Sequence, residues 1–126
     1  MRRQLAGTGW KMNFDAAATR AYAATLLAVL KTFSHAKTEI FVLPPFTALH
    51  SAKSAFAGSP VGYGGQNMHW EPSGAWTGEV SAPMLADAGC RYVELAHSER
   101  LQHFGETYEA VRLKVNAALA HRLVPI

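Results

Sequence analysis

The chain has 126 residues, 49% of them apolar and 17% charged, which suits one domain with a core of its own and excludes a disordered chain. Its net charge of +3 is scattered, with Arg2-Arg3 the one basic doublet, so the basic stripe interleaved with aromatics that marks a nucleic-acid binder is missing. No apolar run reaches the ~20 residues of a membrane span, residues 1–7 carry no apolar stretch like that of a secretory signal, and lone Cys90 fits a reducing, cytoplasmic setting.

Residues 4–7 read as a short strand, ended by Gly7 and Gly9. Across residues 15–33, Tyr22, Leu26, Val29, Leu30 and Phe33 recur at helical spacing, with an Asp or Asn at the start to cap the free N–H groups. Ile40-Phe41-Val42-Leu43 is apolar throughout, as buried parallel strands are, and Pro44-Pro45 stops it. A short helix over residues 48–56 follows. Residues 61–66 form a glycine-rich third strand, weak by propensity. Then comes a long loop, residues 67–78, holding Pro72, Gly74 and Gly78.

Residues 81–88 suit a helix with Gly89 as its C-terminal cap. A fourth strand is expected over residues 91–95, and a helix over 107–121 with Val111, Val115, Ala118 and Leu119 on one face. Residues 123–126 read as the beginning of a fifth strand. Strands alternating with helices predict a parallel sheet with right-handed crossovers. An open doubly wound sheet and part of a barrel both satisfy that pattern. Gly7-Thr8-Gly9-Trp10 lacks the third glycine of the dinucleotide fingerprint, and motifs must decide.

Three segments carry chemistry. Gly9-Trp10-Lys11-Met12-Asn13 follows the first strand, and residues just past the C-terminal end of a parallel strand face the ligand side of the sheet. Lys11 there is a compact cation able to hold a phosphate or an enediolate oxygen; the bland alternative is a solvated surface lysine. Ala96-His97-Ser98-Glu99-Arg100 follows the fourth strand. If a helix starts near Ser98, its field disfavours imidazolium and leaves His97 a neutral donor to a substrate oxygen; the alternative is a capping histidine. Glu99 either orients Lys11 or pairs with Arg100 or Arg91.

The third segment runs from Gln66-Asn67-Met68-His69-Trp70 to Gly74-Ala75-Trp76-Thr77-Gly78-Glu79. A loop of that length in a compact domain is usually functional. Its two tryptophans and methionine either meet a partner or fold back on their own domain. His35, His50, His103 and His121 lack zinc-ligand spacing, so no metal is expected. Phe104-Gly105-Glu106-Thr107 is a turn with Thr107 as a helix cap.

Taken together, these segments resemble the triosephosphate isomerase family. Trp10-Lys11-Met12-Asn13 is similar to its first-strand motif, and Gln66-Asn67 with residues 74–79 to its third loop. His97-Ser98-Glu99-Arg100 with Phe104-Gly105-Glu106-Thr107 is similar to its fourth-strand motif. The resemblance implies an α/β fold, the N-terminal half of a (β/α)₈ barrel, with residues 1–126 forming one partial-barrel domain of about four βα units cut in the fifth strand. It implies interconversion of a ketose phosphate and an aldose phosphate (dihydroxyacetone phosphate and glyceraldehyde 3-phosphate, in glycolysis and gluconeogenesis) through an enediolate, with no cofactor.

In that reading His97 polarises the carbonyl, Lys11 clamps the substrate, Gly9 lies on the substrate floor, and Ser98 and Glu99 support them from behind. The third loop, with Gln66, Trp70, Trp76, Thr77 and Glu79, would enter a neighbouring subunit and make a homodimer. Two positions depart from the family pattern. Gly9 stands where the family has a substrate-bonding asparagine, and Ala96 where glycine is usual. Asn67-Met68-His69-Trp70 and residues 74–79 resemble more closely a branch that isomerises erythrulose phosphates in tetritol catabolism. A four-carbon sugar phosphate is therefore a second expectation, and a non-catalytic half-barrel binding or assembly module a third. A whole barrel needs ~250 residues. The resemblance puts the general-base glutamate, the lid and the phosphate loops beyond Ile126, so the 126 residues alone are expected to be inactive.

Overall fold

A computed structural model describes residues 3–126; Met1 and Arg2, where the N-terminal stretch and the basic doublet begin, lie outside the described residues. The elements are β1 (Gln4–Gly9), α1 (Ala16–Leu30), β2 (Thr38–Leu43), a 3₁₀ turn (Phe46–Ala48), α2 (Leu49–Ala55), β3 (Val61–Gly65), α3 (Ala82–Asp87), β4 (Tyr92–Val93), α4 (Ser98–His103), α5 (Tyr108–Ala120) and β5 (Val124–Pro125). All neighbouring strands pair in parallel, in the order β1-β2-β3-β4-β5. The sheet curls into half of a barrel with helices between its strands.

Short polar side chains set the helix starts. Asp15 accepts the Ala18 N–H at 2.8 Å, Ser81 that of Met84 at 3.3 Å, and Thr107 that of Ala110 at 3.1 Å. The helix-facing side of the sheet is aliphatic. Val42 and Val61 pack with Ala23, Leu30, Ala52 and Phe56, while Val93 packs with Met68, Leu85 and Ala118. The concave side is built from Phe41, Leu43 and Tyr92. Phe41 and Tyr92 lie with ring centroids 4.8 Å apart, over glycines. A Cβ on Gly7 would fall 2.3 Å from the Phe41 ring, and one on Gly62 would fall 2.6 Å from the Tyr92 ring. The glycines that make these strands weak by propensity are what lets two large rings share the inside of so small a curve.

Several sequence expectations are corrected. β1 runs to Gly9, because Gly7, Thr8 and Gly9 all pair with β2. α1 stops at Leu30, leaving Val29 and Phe33 on the surface, and Leu119 is exposed as well. Met68, expected on an exposed loop, is fully buried. Lys114, for which no expectation was made, is buried on the inner face of α5, one turn from Val111 and Ala118.

At the N-terminal end of the strands, Glu39 accepts a hydrogen bond from the Tyr92 hydroxyl at 2.7 Å and from Arg91 at 3.1 Å, and pairs with Arg3. The Tyr92 bond, then the Arg3 bond, hold the Glu39 carboxyl below its ordinary value. Burial first, and then that same bond, push Tyr92 up to about 12. A carboxyl whose folded value is depressed contributes stability above its unfolded value, here 4.5, and loses it as pH falls through the lower folded value. Glu39→Gln should therefore flatten the acid limb below pH 4.5 and leave the slope near neutrality alone, as read from urea midpoints across that range.

Candidate active site

Trp10 prepares the first corner of the site. Its ring is buried on the helix side, edge-on to Phe14 and Tyr22 at 4.9 and 4.8 Å, and its backbone N–H donates to the Leu43 carbonyl at 3.0 Å. Asn13 donates to the Trp10 carbonyl at 2.8 Å. With Trp10 anchored outward, the chain turns sharply at Lys11, which holds a left-handed φ of 56°. Such a conformation costs a non-glycine residue about 1–2 kcal/mol and persists where surrounding bonds over-determine it. Gln66 supplies those bonds. Its amide donates to the Lys11 carbonyl at 2.9 Å and to the Leu43 carbonyl at 2.8 Å, tying the ends of β1 and β2 to the exit of β3.

The second corner is His97, at the start of α4. Its Nδ1 accepts the Glu99 backbone N–H at 3.1 Å, which assigns the proton of the neutral ring to Nε2. The Lys11 ammonium meets that Nε2, and it pairs with Glu99 Oε1 at 3.3 Å. Glu99 Oε2 lies 3.6 Å from His97 Nδ1. Nζ and Nε2 thus stand side by side at the cleft, where an oxygen entering beside them can reach both. An oxygen that gains negative charge there would be held by both. The structure shows the capping alternative for His97, and the cap turns Nε2 toward Lys11.

Ala96 precedes it at φ 58°, again left-handed. Ala96→Gly should raise stability by about 1 kcal/mol, visible as a higher urea midpoint at unchanged slope.

Lys11, Gln66, Asn67, Glu94, His97 and Glu99 line one cleft of about 220 Å³. Gly9 lies next to Glu94 of this lining, where a Cβ would stand 3.3 Å from Glu94 Oε2. Ser98, expected behind the site, is exposed in the first turn of α4. A larger hollow of about 740 Å³ opens at the opposite end of the strands, around Arg3, Lys37, Glu39 and Arg91, and contains none of these groups. Among the described residues no cluster of three or more His, Cys, Asp or Glu is placed to hold a metal ion.

Behind the cleft lies a buried ionic group that the sequence reading passed over. Lys114 pairs with Glu106 and donates to Asn67 Oδ1 at 2.9 Å, and Arg100 Nε reaches Glu106 Oε1 at 3.3 Å. The group joins α5, α4 and the third loop. The signal was present, since position 114 belongs to the 111-115-118 stripe. Gln66 was read only as a loop residue, and its hold on Lys11 had no signature in spacing.

The third loop is closed at its base by His69 N–H to the Val80 carbonyl at 2.8 Å. Trp70 and Trp76 both stack on the buried His69 ring, at 4.2 and 4.4 Å between centroids. Both rings fold onto their own loop, yet Trp76 keeps 47% of its surface exposed, with Thr77 and Glu79 exposed beside it.

The family model described as triosephosphate isomerase matches residues 4–126. An L-erythrulose-1-phosphate isomerase of Mycolicibacterium smegmatis is 51% identical over 121 residues, covering 95% of the chain and 46% of that relative. A triosephosphate isomerase of Symbiobacterium thermophilum is 48% identical over 126 residues, covering 100% of the chain and 48% of the relative. The crystal structure of triosephosphate isomerase from Bartonella henselae superimposes with a TM-score of 0.89 at 32% identity, over 98% of this chain and 50% of that one. The chain spans about half the length of the curated relatives it matches.

Proposed function

This chain belongs to the triosephosphate isomerase family, and from that premise we propose that the protein is an aldose–ketose isomerase of small sugar phosphates. The contact of Lys11 Nζ with His97 Nε2 in one cleft carries the reading. Moving a proton between adjacent carbons passes through an enediolate, whose oxygens carry the negative charge. His97 donates from Nε2 to the carbonyl oxygen as that charge grows, and Lys11 adds a fixed positive charge beside it. Glu99 keeps the lysine against the histidine at 3.3 Å. Because Nδ1 is already occupied by a backbone N–H, the ring cannot rotate away without uncapping α4.

Relatives named for three-carbon and four-carbon substrates are about equally similar, so identity does not choose between them. Gly9 favours the longer substrate. It removes the amide that the family uses there, and the Glu94 carboxylate comes over that position instead. We place the protein in tetritol catabolism on that ground, with the triose reaction of glycolysis as the second reading. A homodimer through the third loop follows from the exposed Trp76 beside Thr77 and Glu79. A cytoplasmic setting accords with Cys90, a lone thiol that burial pushes up to about 12 and keeps unreactive. No helix among the described residues is long and apolar enough to cross a membrane.

The test is turnover by the full encoded protein of L-erythrulose 1-phosphate and of dihydroxyacetone phosphate. Turnover of the first with the higher kcat/KM is expected. A protein that binds both and converts neither is a binding module, and the proposal falls. The 126 residues alone are expected to convert neither, as the resemblance assigns the proton-abstracting glutamate to the half of its relatives that the chain does not span.

A further inference from the structure

Glu94 is a charged side chain on the inner face of the half-barrel, two residues beyond Tyr92 and directly over Gly9. Inner positions of a small barrel are ordinarily filled by packed apolar side chains, and the layer beneath follows that rule with Phe41 and Tyr92. The Glu94 backbone is fixed, its N–H donating to the Gly65 carbonyl at 2.9 Å. Its carboxylate receives no hydrogen bond or ion pair from any described residue, and it opens on the cleft shared with Lys11 and His97. Gly9 is what admits it. A Cβ at that position would stand 3.3 Å from one carboxylate oxygen and 3.6 Å from the other, so any longer side chain would compete for the same space.

Resting on the isomerase reading above, we propose that Glu94 is a specificity residue that accepts hydrogen bonds from a substrate hydroxyl which a three-carbon sugar phosphate lacks. An ionised carboxylate has two oxygens and only acceptor capacity, so it suits a hydroxyl and repels a phosphate. The phosphate must therefore lie away from Glu94, with the far hydroxylated carbon over Gly9. The Gly9–Glu94 pair replaces a neutral amide at position 9 by a charged acceptor reaching across from the neighbouring side. The substrate class is a ketose phosphate with at least one hydroxylated carbon more than a triose.

The experiment uses unreactive ligands, so that it does not depend on turnover. Calorimetric binding of a four-carbon polyol phosphate and of glycerol phosphate is compared for the full encoded protein and for Glu94→Leu and Glu94→Gln. The parent protein is expected to favour the four-carbon ligand by about 10- to 100-fold, the range of one or two charge-assisted hydrogen bonds. Glu94→Leu should erase the preference, and Glu94→Gln, with one acceptor and no charge, should retain a part of it. An unchanged preference in both variants overturns the proposal, as does a parent with none. If Glu94→Leu does not fold, the isosteric Glu94→Gln decides. Should the preference depend on Glu94 in a protein that isomerises neither sugar phosphate, the isomerase reading fails and the hydroxyl site stands. Should isomerisation proceed with the preference untouched by either substitution, the reading stands and the role of Glu94 fails.

Discussion

Asparagine at position 97 should leave the protein folded and lower its kcat about 100- to 1000-fold, with KM moved far less. Two duties of His97 are separable because they use different ring nitrogens. Nδ1 caps α4 by accepting the Glu99 N–H at 3.1 Å, and Nε2 meets Lys11 in the cleft. Asparagine is among the best N-cap residues, and its amide oxygen takes over the first duty, so stability should stay within about 1 kcal/mol of the parent. Its amide group is too short for the second. His97→Ala should show the same catalytic loss together with a loss of about 1 kcal/mol from the missing cap. Steady-state kinetics on the full encoded protein, paired with urea unfolding of each variant, separates the two. A kcat for the asparagine variant within tenfold of the parent would remove His97 from the chemistry.

Glu106→Gln should cost about 3–5 kcal/mol of stability, the largest loss expected of any single conservative change in this chain. Side-chain exposure is 3% for Glu106 and 7% for Lys114, so the lysine loses its one carboxylate partner among the described residues while still shut away from water. Neither Asn67 Oδ1 nor a neutral glutamine can replace a counter-charge. Glu109→Gln, which breaks the exposed pair with Arg112, should make no comparable difference. Replacing Glu106 and Lys114 together by apolar residues should recover much of the loss, because no charge is then left buried alone. Urea midpoints for the three variants check this. Equal losses in the double and single variants would mean that the group stabilises by its particular bonds rather than by neutralising charge. Asn67 also lines the cleft, so the single substitution should lower kcat/KM as well.

The parts of the fold legible in the sequence are those a single strong local signal controls. Ile40 to Leu43 is an unbroken apolar run, Pro44 ends it, and the strand appears there, begun two residues earlier by Thr38 and Glu39. Asp15, Ser81 and Thr107 stand at helix starts as capping residues do. Where the reading erred, a distant contact outweighs local chemistry. Met68 and Lys114 are both inside because α5 lies across the base of the third loop, a juxtaposition no window of residues contains. The strands of glycine look weak because the rings they accommodate come from other strands. Lys11 and His97 share one cleft, and their place after strands is legible in the sequence. The placement of Gln66 and Glu94 is not legible, since it depends on what they face: carbonyls at the ends of β1 and β2 for one, and Gly9 on β1 for the other.

The strand order β1-β2-β3-β4-β5 has a consequence in time. Each strand pairs with the one synthesised just before it, and each crossover packs against the strands it joins. No early strand has to wait for a late one before its next neighbour can dock. Loop closure is therefore met in instalments of one βα unit, and the sheet can grow from its N-terminal edge while the rest of the chain is still being translated. On that schedule Lys11 waits at an unfinished rim until the fourth strand delivers His97.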